Sequence, residues 1–386
     1  MITVIADDLT GAAEIAGVCI GYGIDVSFGI GAIPKQLSQV VIVATDSRSL
    51  TEEEAYQQHQ QLARKVFKKN AHQVVYKKCD SVLRGHVLTE LLALMSASGK
   101  KLVLLQPANP KGQRCIKNGV YFINDKKIEN TGFLTDPDFP ANVSSIKEML
   151  LSRTSEKDVL LIQTGCPEHI SSEGIYIPDV QSEAQLAGNL KLYNENVLIG
   201  GSAAFFEQFL KKLNLTSTKK KFKTIHFNQD FVLVSGSTHP ESLAYAMTLE
   251  KKGCPLVTFP NHLLMETISD NDLVKFTEEI VQIYSQNRKL IVRISDKNIQ
   301  FKNSSKVLKN RLSLVLQQLL TEINFKELFI EGGATAYDIL KKLNWNAFTP
   351  KETLAEGVVR MAYNLDKSKH ITLKPGSYKW PERLLN

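Results

Sequence analysis

The chain has 386 residues, enough for two domains of ordinary size, and its 43% hydrophobic and 23% charged residues exclude disorder, collagen and coiled coil. The formal net charge of +7 is spread along the chain, apart from Lys219–Lys221, so it permits an anionic substrate without implying nucleic acid. Five cysteines (Cys19, Cys79, Cys115, Cys166 and Cys254) are odd in number and far apart, with no C-x-x-C pair, which predicts free thiols in a reducing compartment. With no basic segment before an apolar leader and no apolar run of spanning length, the expectation is a cytoplasmic protein with no membrane partner.

In chain order, the run Ile2, Val4, Ile5 predicts a buried strand, and Ala12, Ala13, Ala16 and Gly17 predict a helix packed closely on a sheet. Between them stand Asp7 and Asp8, at the carboxyl end of a strand where open α/β sheets bind ligands. Asp8 or Thr10 can serve as the helix cap, but two adjacent carboxylates exceed what a cap needs. Strands are expected at Ile24–Phe28 and Gln39–Thr45, the second running into Asp46, Ser47, Arg48 and Ser49. Thr51 and Glu54 form a capping-box signature for a helix to Lys69.

The next strand, Gln73–Lys77, leads into Lys78, Asp80, Ser81, Arg84 and Gly85 before a helix near Val87. These residue types suit an anion site, with Arg84 as a fork, Lys78 as a compact charge and Ser81 as a donor. An Asp80–Arg84 pair at a helix start is the structural alternative. As the third polar cluster at a strand end, the group favours ligand binding. Lys101–Gln106 is a further strand, and the loop after it carries Lys111 and Arg114 towards the same mouth. The stretch 121–142 reads as a β-excursion or a lid. Val159–Gln163 and Asn196–Ile199 close the first half, and the polar segment Lys211–Lys223 divides residues 1–222 from residues 223–386.

The second half restarts the alternation. Phe231–His239 is a strand breaking into a small-residue turn with Ser235 and Ser237, and Pro240 opens the next helix. Strands at Leu256–Phe259 and Lys289–Ile294 and a helix over Val307–Ile323 precede Leu328–Ala336. There a strand meets Gly332, Gly333, Ala334 and Thr335 at a helix start, which suits phosphate oxygens or a structural turn. His370–Tyr378 is the last strand, carrying Lys374 and Gly376. P-loop, dinucleotide, nucleophile-elbow and zinc motifs are absent, no metal ligands are assigned, and of the histidines only His86 and His239 adjoin ligand-like turns. The fold expected is α/β, two domains with mostly parallel sheets and the active site in the cleft between them. Charged groups in one half and glycine turns in the other suit a small-molecule kinase.

Together Ile5–Ala12, Thr45–Arg48, Lys77–Gly85, Val234–Ser237, Gly332–Ala336 and Leu373–Gly376 resemble the four-carbon acid sugar kinase family, in order and over nearly the whole chain. The resemblance implies an N-terminal domain for a sugar acid such as threonate, erythronate or a 3-oxo-tetronate. It also implies a C-terminal domain for ATP, with Mg²⁺ riding on the phosphates and transfer to the 4-hydroxyl. Asp8 and Asp80 would be catalytic, in exchangeable roles. Asp7, Asp46, Ser47, Arg48, Lys78, Ser81, Arg84 and Gly85 would bind substrate, and Ser235, Ser237, Gly332 to Thr335, Lys374 and Gly376 the nucleotide. Two departures stand out: Ala334 replaces an expected acidic residue, and the last motif reads Lys-Pro-Gly-Ser-Tyr-Lys-Trp-Pro. A kinase for another hydroxylated acid such as 4-hydroxythreonine and a non-catalytic sugar-acid binder are the alternatives. A homodimer is compatible with the sequence, which leaves the oligomeric state open.

Overall fold

A computed structural model describes the chain apart from residues 137, 156–160, 171–172, 219, 238, 265–267, 295–303, 377, 383 and 386. Val159 and Leu160 of one expected strand, Lys219 of the lysine run, and Thr238 and Ser377 of two expected turns therefore lie outside the described residues.

The first half supplies β1 (Ile2–Ala6), β2 (Val26–Ile30), β3 (Val40–Ala44), β4 (Val74–Lys78) and β5 (Leu102–Gln106). A small antiparallel sheet follows, β6 (Arg114–Lys117), β7 (Val120–Ile123) and β8 (Lys126–Lys127), and then β9 (Leu161–Gly165), β10 (Gly174–Pro178) and β11 (Val197–Gly201). Its helices are α1 (Leu9–Gly21), α2 (Glu52–Lys69), α3 (Val87–Ser98), α4 (Ile146–Leu151), α5 (Glu183–Gly188) and α6 (Ala203–Lys212). The second half supplies β12 (Phe231–Ser235), β13 (Leu256–Thr258), β14 (Lys289–Arg293), β15 (Glu327–Glu331), β16 (Ala347–Ala355), β17 (Val358–Tyr363) and β18 (His370–Lys374). Around them lie α7 (Pro240–Lys251), α8 (Asp270–Asn287), α9 (Ser304–Glu322) and α10 (Gly333–Lys342).

The main sheet runs β13-β14-β12-β15-β18-β17-β16-β2-β3-β1-β4-β11-β5-β10-β9. All pairings are parallel except those of the β16–β17 hairpin, which pairs antiparallel with β18 on one side and β2 on the other. The α/β expectation holds. The hairpin makes one continuous sheet of the two halves, with Phe348 opposite Phe28. Buried β-branched runs explain the parallel strands: every residue of β1, β2, β3 and β12 is buried. Because β1 lies between β3 and β4, the chain leaves it on one side and returns on the other, opening a crevice at the carboxyl ends of β1 and β4.

Local signals explain the helices beside that crevice. The Asp8 carboxylate caps α1 by accepting the Gly11 N–H, and Thr51 and Glu54 form the expected capping box of α2. Pro240 sits in the first turn of α7 behind the His239 cap. The expected β-excursion is the β6–β8 sheet, and it begins earlier than expected, at Arg114 in the segment expected to be a loop. The hairpin, β10 and α8 went unpredicted; in β16, Pro350 falls beside a register irregularity, which disguises the strand pattern.

Candidate active site

At the crevice, three carboxylates share two guanidinium groups. Asp7 is fully buried; its Oδ2 accepts from Arg48 Nε at 2.7 Å and from the Asp80 N–H at 3.2 Å. Asp8 accepts from Arg48 Nη2 at 3.1 Å and from the Gly11 N–H at 3.0 Å, and the Thr10 hydroxyl donates to its other oxygen. Arg48 also lies 3.6 Å from Asp80. Arg84 forks onto Asp80, with Nε 2.8 Å and Nη2 3.0 Å from its oxygens, and reaches Asp136 at 3.4 Å. Thus the Asp80–Arg84 pair weighed as a structural alternative forms, and it forms inside the site. Gly85, at φ 89°, leaves room for Arg48, whose Cγ would stand 2.9 Å from any Cβ there.

Burial alone would raise the Asp8 pKa, but Arg48, Lys78 and the Thr10 hydroxyl outweigh it and hold the group below its usual range. Burial opposes ionisation of Asp80 too, but Arg48 and Arg84 hold it well below its usual range. Asp46 behaves oppositely. Burial pushes it up to about 7, only partly offset by the Ser49 hydroxyl and Lys309. Its backbone is left-handed, at φ 51°, and Ser49 Oγ donates to its carboxylate at 2.6 Å. Ser47, expected at the ligand, is buried; its hydroxyl donates to Glu90, which pairs with Lys77 at 2.8 Å. His59 lies beside that pair, 3.9 Å from Glu90, and burial drives its pKa down to about 4.

From the second half, Gly332 has φ 94°, and its N–H donates to the Lys374 carbonyl at 3.0 Å. The α10 helix therefore starts at Gly333, two residues before the expected Thr335. A Cβ on Gly333 would stand 3.1 Å from Thr10 Cγ2, 3.2 Å from Thr10 Oγ1 and 3.4 Å from Asp8 Oδ2. This close approach brings the two halves together. A cleft of about 530 Å³ is lined by Asp8, Asp46, Arg48 and Arg84 from one side and by Ser237, Gly333, Ala334 and Gly376 from the other.

Other expected nucleotide residues sit beneath that wall. The Ser235 hydroxyl donates to Glu331, and Lys374 lies 3.4 Å from Glu331 and donates to the Tyr378 carbonyl at 2.6 Å. Thr335 packs where a Cβ on Gly236 would stand 2.5 Å from its Oγ1. Lys78 and Ser81 line not this cleft but a second pocket. His239 lines the cleft, whereas His86 is held by the Leu50 carbonyl at 2.9 Å. Sequence reasoning missed Thr10 as a ligand-side group, Lys309 of α9, and Asp136, Asp138 and Phe139. The last three belong to the excursion already suspected of covering the site; nothing local distinguishes Lys309 from the other lysines of its helix.

Among the described residues no group of three or more His, Cys, Asp or Glu side chains could hold a metal ion, and no helix is long and apolar enough to cross a membrane. All five cysteines are free.

Fold and cleft define a two-part α/β protein with a charged crevice in one part facing a glycine turn in the other. Residues 2–209 match the family described as Sugar-binding N-terminal domain, and residues 232–378 match Nucleotide-binding C-terminal domain. The chain belongs to this family, the four-carbon acid sugar kinases that its motifs resemble. It is similar to a 3-oxo-tetronate kinase of Brucella melitensis biotype 1, 28% identical over 57% of this chain and 49% of the relative. It is also similar to a D-threonate kinase of Salmonella typhimurium LT2, 30% identical over 38% of this chain and 35% of the relative. The matched region thus spans about half or less of these curated relatives' length. Among solved structures, a Salmonella typhimurium LT2 protein superposes with TM-score 0.78 at 18% identity, covering 99% of this chain and 97% of that one. A Haemophilus influenzae protein superposes with TM-score 0.70 at 18% identity, covering 98% and 97%. At that identity the likeness concerns the fold.

Proposed function

We propose that this chain is an ATP-dependent kinase that phosphorylates the terminal, 4-hydroxyl of a four-carbon sugar acid such as threonate, erythronate or a 3-oxo-tetronate. The observation that carries the reading is the contact between Gly333 and the Thr10–Asp8 pair, where a glycine turn of the nucleotide-binding half meets the carboxylates of the sugar-binding half. The names of the relatives, 3-oxo-tetronate kinase and D-threonate kinase, support the substrate class. Free thiols fit a cytoplasmic site of action.

The second-half wall fits a nucleotide. The start of α10 turns backbone N–H groups and the positive end of the helix towards the cleft, with Ser237 and Gly376 beside it. ATP bound there would supply the phosphoryl group, and Mg²⁺ would be held mainly by phosphate oxygens and water. The protein's task is alignment and charge neutralisation. Asp8 is ionised, oriented by Gly11 and Thr10, and nearest the glycine turn, so it is the group to accept the hydroxyl's proton. Asp80, chelated by Arg84, is better suited to holding Arg48 in place. Lys309, in the cleft beside Asp46, adds positive charge where the transferred group would pass.

The test is ADP release with Mg-ATP over D- and L-threonate, D- and L-erythronate, their 3-oxo forms and 4-hydroxythreonine. Turnover of one four-carbon sugar acid above the rest is the expected result. Silence throughout, with no ATP binding, would remove the kinase reading; turnover of 4-hydroxythreonine alone would move the substrate.

A further inference from the structure

A sugar acid brings a carboxylate that needs a cation with donors to spare. Arg48 is spent on Asp7 and Asp8, Arg84 is chelated by Asp80, and Lys77 and Lys374 are paired with Glu90 and Glu331. Of the cations that line the second pocket, of about 270 Å³, Lys78 and Arg114 differ. Lys78 is buried, and its nearest carboxylate, Glu14, is 3.9 Å away. Arg114 is half-buried; its guanidinium donates to the Ser81 hydroxyl, and among the described residues it makes no ion pair.

We propose that Lys78 and Arg114 hold the carboxylate of the acid substrate in this second pocket, with Glu14 accepting from a substrate hydroxyl; the proposal rests on the kinase reading above. Arg84 is then the clamp that fixes Asp80, not the clamp that fixes substrate. The pocket also carries Glu183, Glu207 and Glu356. Glu183 faces Lys111 at 3.6 Å, and Glu207 accepts from the Tyr22 hydroxyl at 2.6 Å. Glu14 accepts from the Tyr378 hydroxyl at 2.9 Å, and burial raises its pKa against the pull of Lys78. Cations beside a half-buried acceptor suit a hydroxy acid better than a simple anion.

Lys78 also stands close to the reacting centre. A Cβ on Gly11 would stand 2.5 Å from Asp8 Oδ1 and 2.8 Å from Lys78 Nζ, so both groups pack against the same edge of Gly11 and lie near each other. An acid anchored on Lys78 can therefore extend its far hydroxyl to Asp8 and the glycine turn beyond. The volume lies below the ~300–1,000 Å³ of drug-sized sites, which selects compact ligands. The hairpin residues Thr353 and Gly357 and the Tyr378 ring close the outer side, so chain length is limited there as well.

The experiment compares wild type, Arg114→Gln and Arg114→Lys on the preferred four-carbon acid and on the uncharged tetritol of the same configuration. Arg114→Gln is expected to raise the KM for the acid by about 10- to 100-fold, the loss of a charged hydrogen-bond pair. The KM for ATP and the kcat/KM for the tetritol should stay at wild-type values, and Arg114→Lys should fall between. Calorimetric titration of the acid without ATP should show the same loss, with thermal unfolding checking that the variants fold. Wild-type affinity of Arg114→Gln for the acid, or an equal penalty on acid and tetritol, overturns the carboxylate seat while leaving the kinase reading intact. A wild-type protein that binds ATP but neither binds nor phosphorylates any four-carbon acid overturns both.

Discussion

On the first-half wall of the cleft, Asp7, Asp8 and Asp80 share Arg48 and Arg84 through paired hydrogen bonds. On the second-half wall, Gly333 and Gly376 present backbone beside the single lysine Lys309, while Glu331 and Lys374 are paired beneath the surface. One wall presents a network of paired charges, and the other mainly backbone with one lysine. A substitution on the first should therefore alter chemistry, and one on the second should act through volume. The contrast also locates the conformational cost. Asp46 takes a left-handed backbone without being glycine, whereas the opposite wall places its positive φ at Gly332.

The sharpest way to break this contrast is Asp8→Asn, which keeps shape and removes the proton acceptor. Turnover is expected to fall by about 10²–10⁴-fold, with ATP affinity unchanged. Steady-state rates and an ATP titration check it; near-normal turnover would transfer the base to another group and make the first wall a binding surface only. On the opposite wall, Gly333→Val adds volume where Thr10 already stands 3.1 Å away, and the displacement should cost about 10²-fold in turnover. Thr10→Ser in that background removes the contacting methyl and should restore part of the loss. If it restores none, volume is not what the glycine protects.

Protonation sharpens the comparison within the first wall. Asp46 is raised from 3.8 to about 7, so the folded state holds this proton more tightly than the unfolded state does. Its contribution to stability is present at acid pH and is lost as pH climbs from about 4 to about 7, roughly 4 kcal/mol at most. His59 is lowered from 6.5 to about 4, so its contribution is present near neutrality and is lost as pH falls through the same window, roughly 3 kcal/mol at most. In the wild type the two slopes oppose each other. Asp46→Asn should leave a protein that weakens towards acid, and His59→Gln one that weakens towards neutrality, read from urea midpoints between about pH 4.5 and 7.5. Identical slopes in all three proteins would mean that neither group is buried as described.

Much of this site is legible before any coordinates. Asp7, Asp8, Arg48, Asp80 and Arg84 announce themselves because acidic and basic residues at strand ends have no core function, and β1, β3 and β4 read plainly as strands. Partner choice is not legible. The four-residue spacing offers the Asp80–Arg84 pair, but nothing local shows that Ser47 turns inward to Glu90, 43 residues away. The join between the halves is hidden for a similar reason. Phe348 meets Phe28 across 320 residues, and the strand that carries it is broken by Pro350. Lys309 lies on a helix face whose direction only the packing of α9 decides.

The smallest expected effect separates local helix energetics from the site. Thr51 accepts the Glu54 N–H at 3.3 Å, and Glu54 accepts the Thr51 N–H at 2.9 Å, so α2 starts three residues after Ser49 with two of its first donors satisfied. Glu52, Glu53 and Glu54 in the first turn and Lys68 and Lys69 in the last favour the helix dipole as well. Thr51→Ala removes one partner of the box and should cost about 1 kcal/mol of stability. Arg48 does not depend on that cap, because Asp7 and Asp8 hold it from β1 and the start of α1. Turnover should therefore change by less than about twofold, well under the tenfold that 1.4 kcal/mol of barrier would give. A larger fall would mean that the start of α2 sets the Arg48 position, and that the charged wall is held by helix geometry rather than by its own ion pairs.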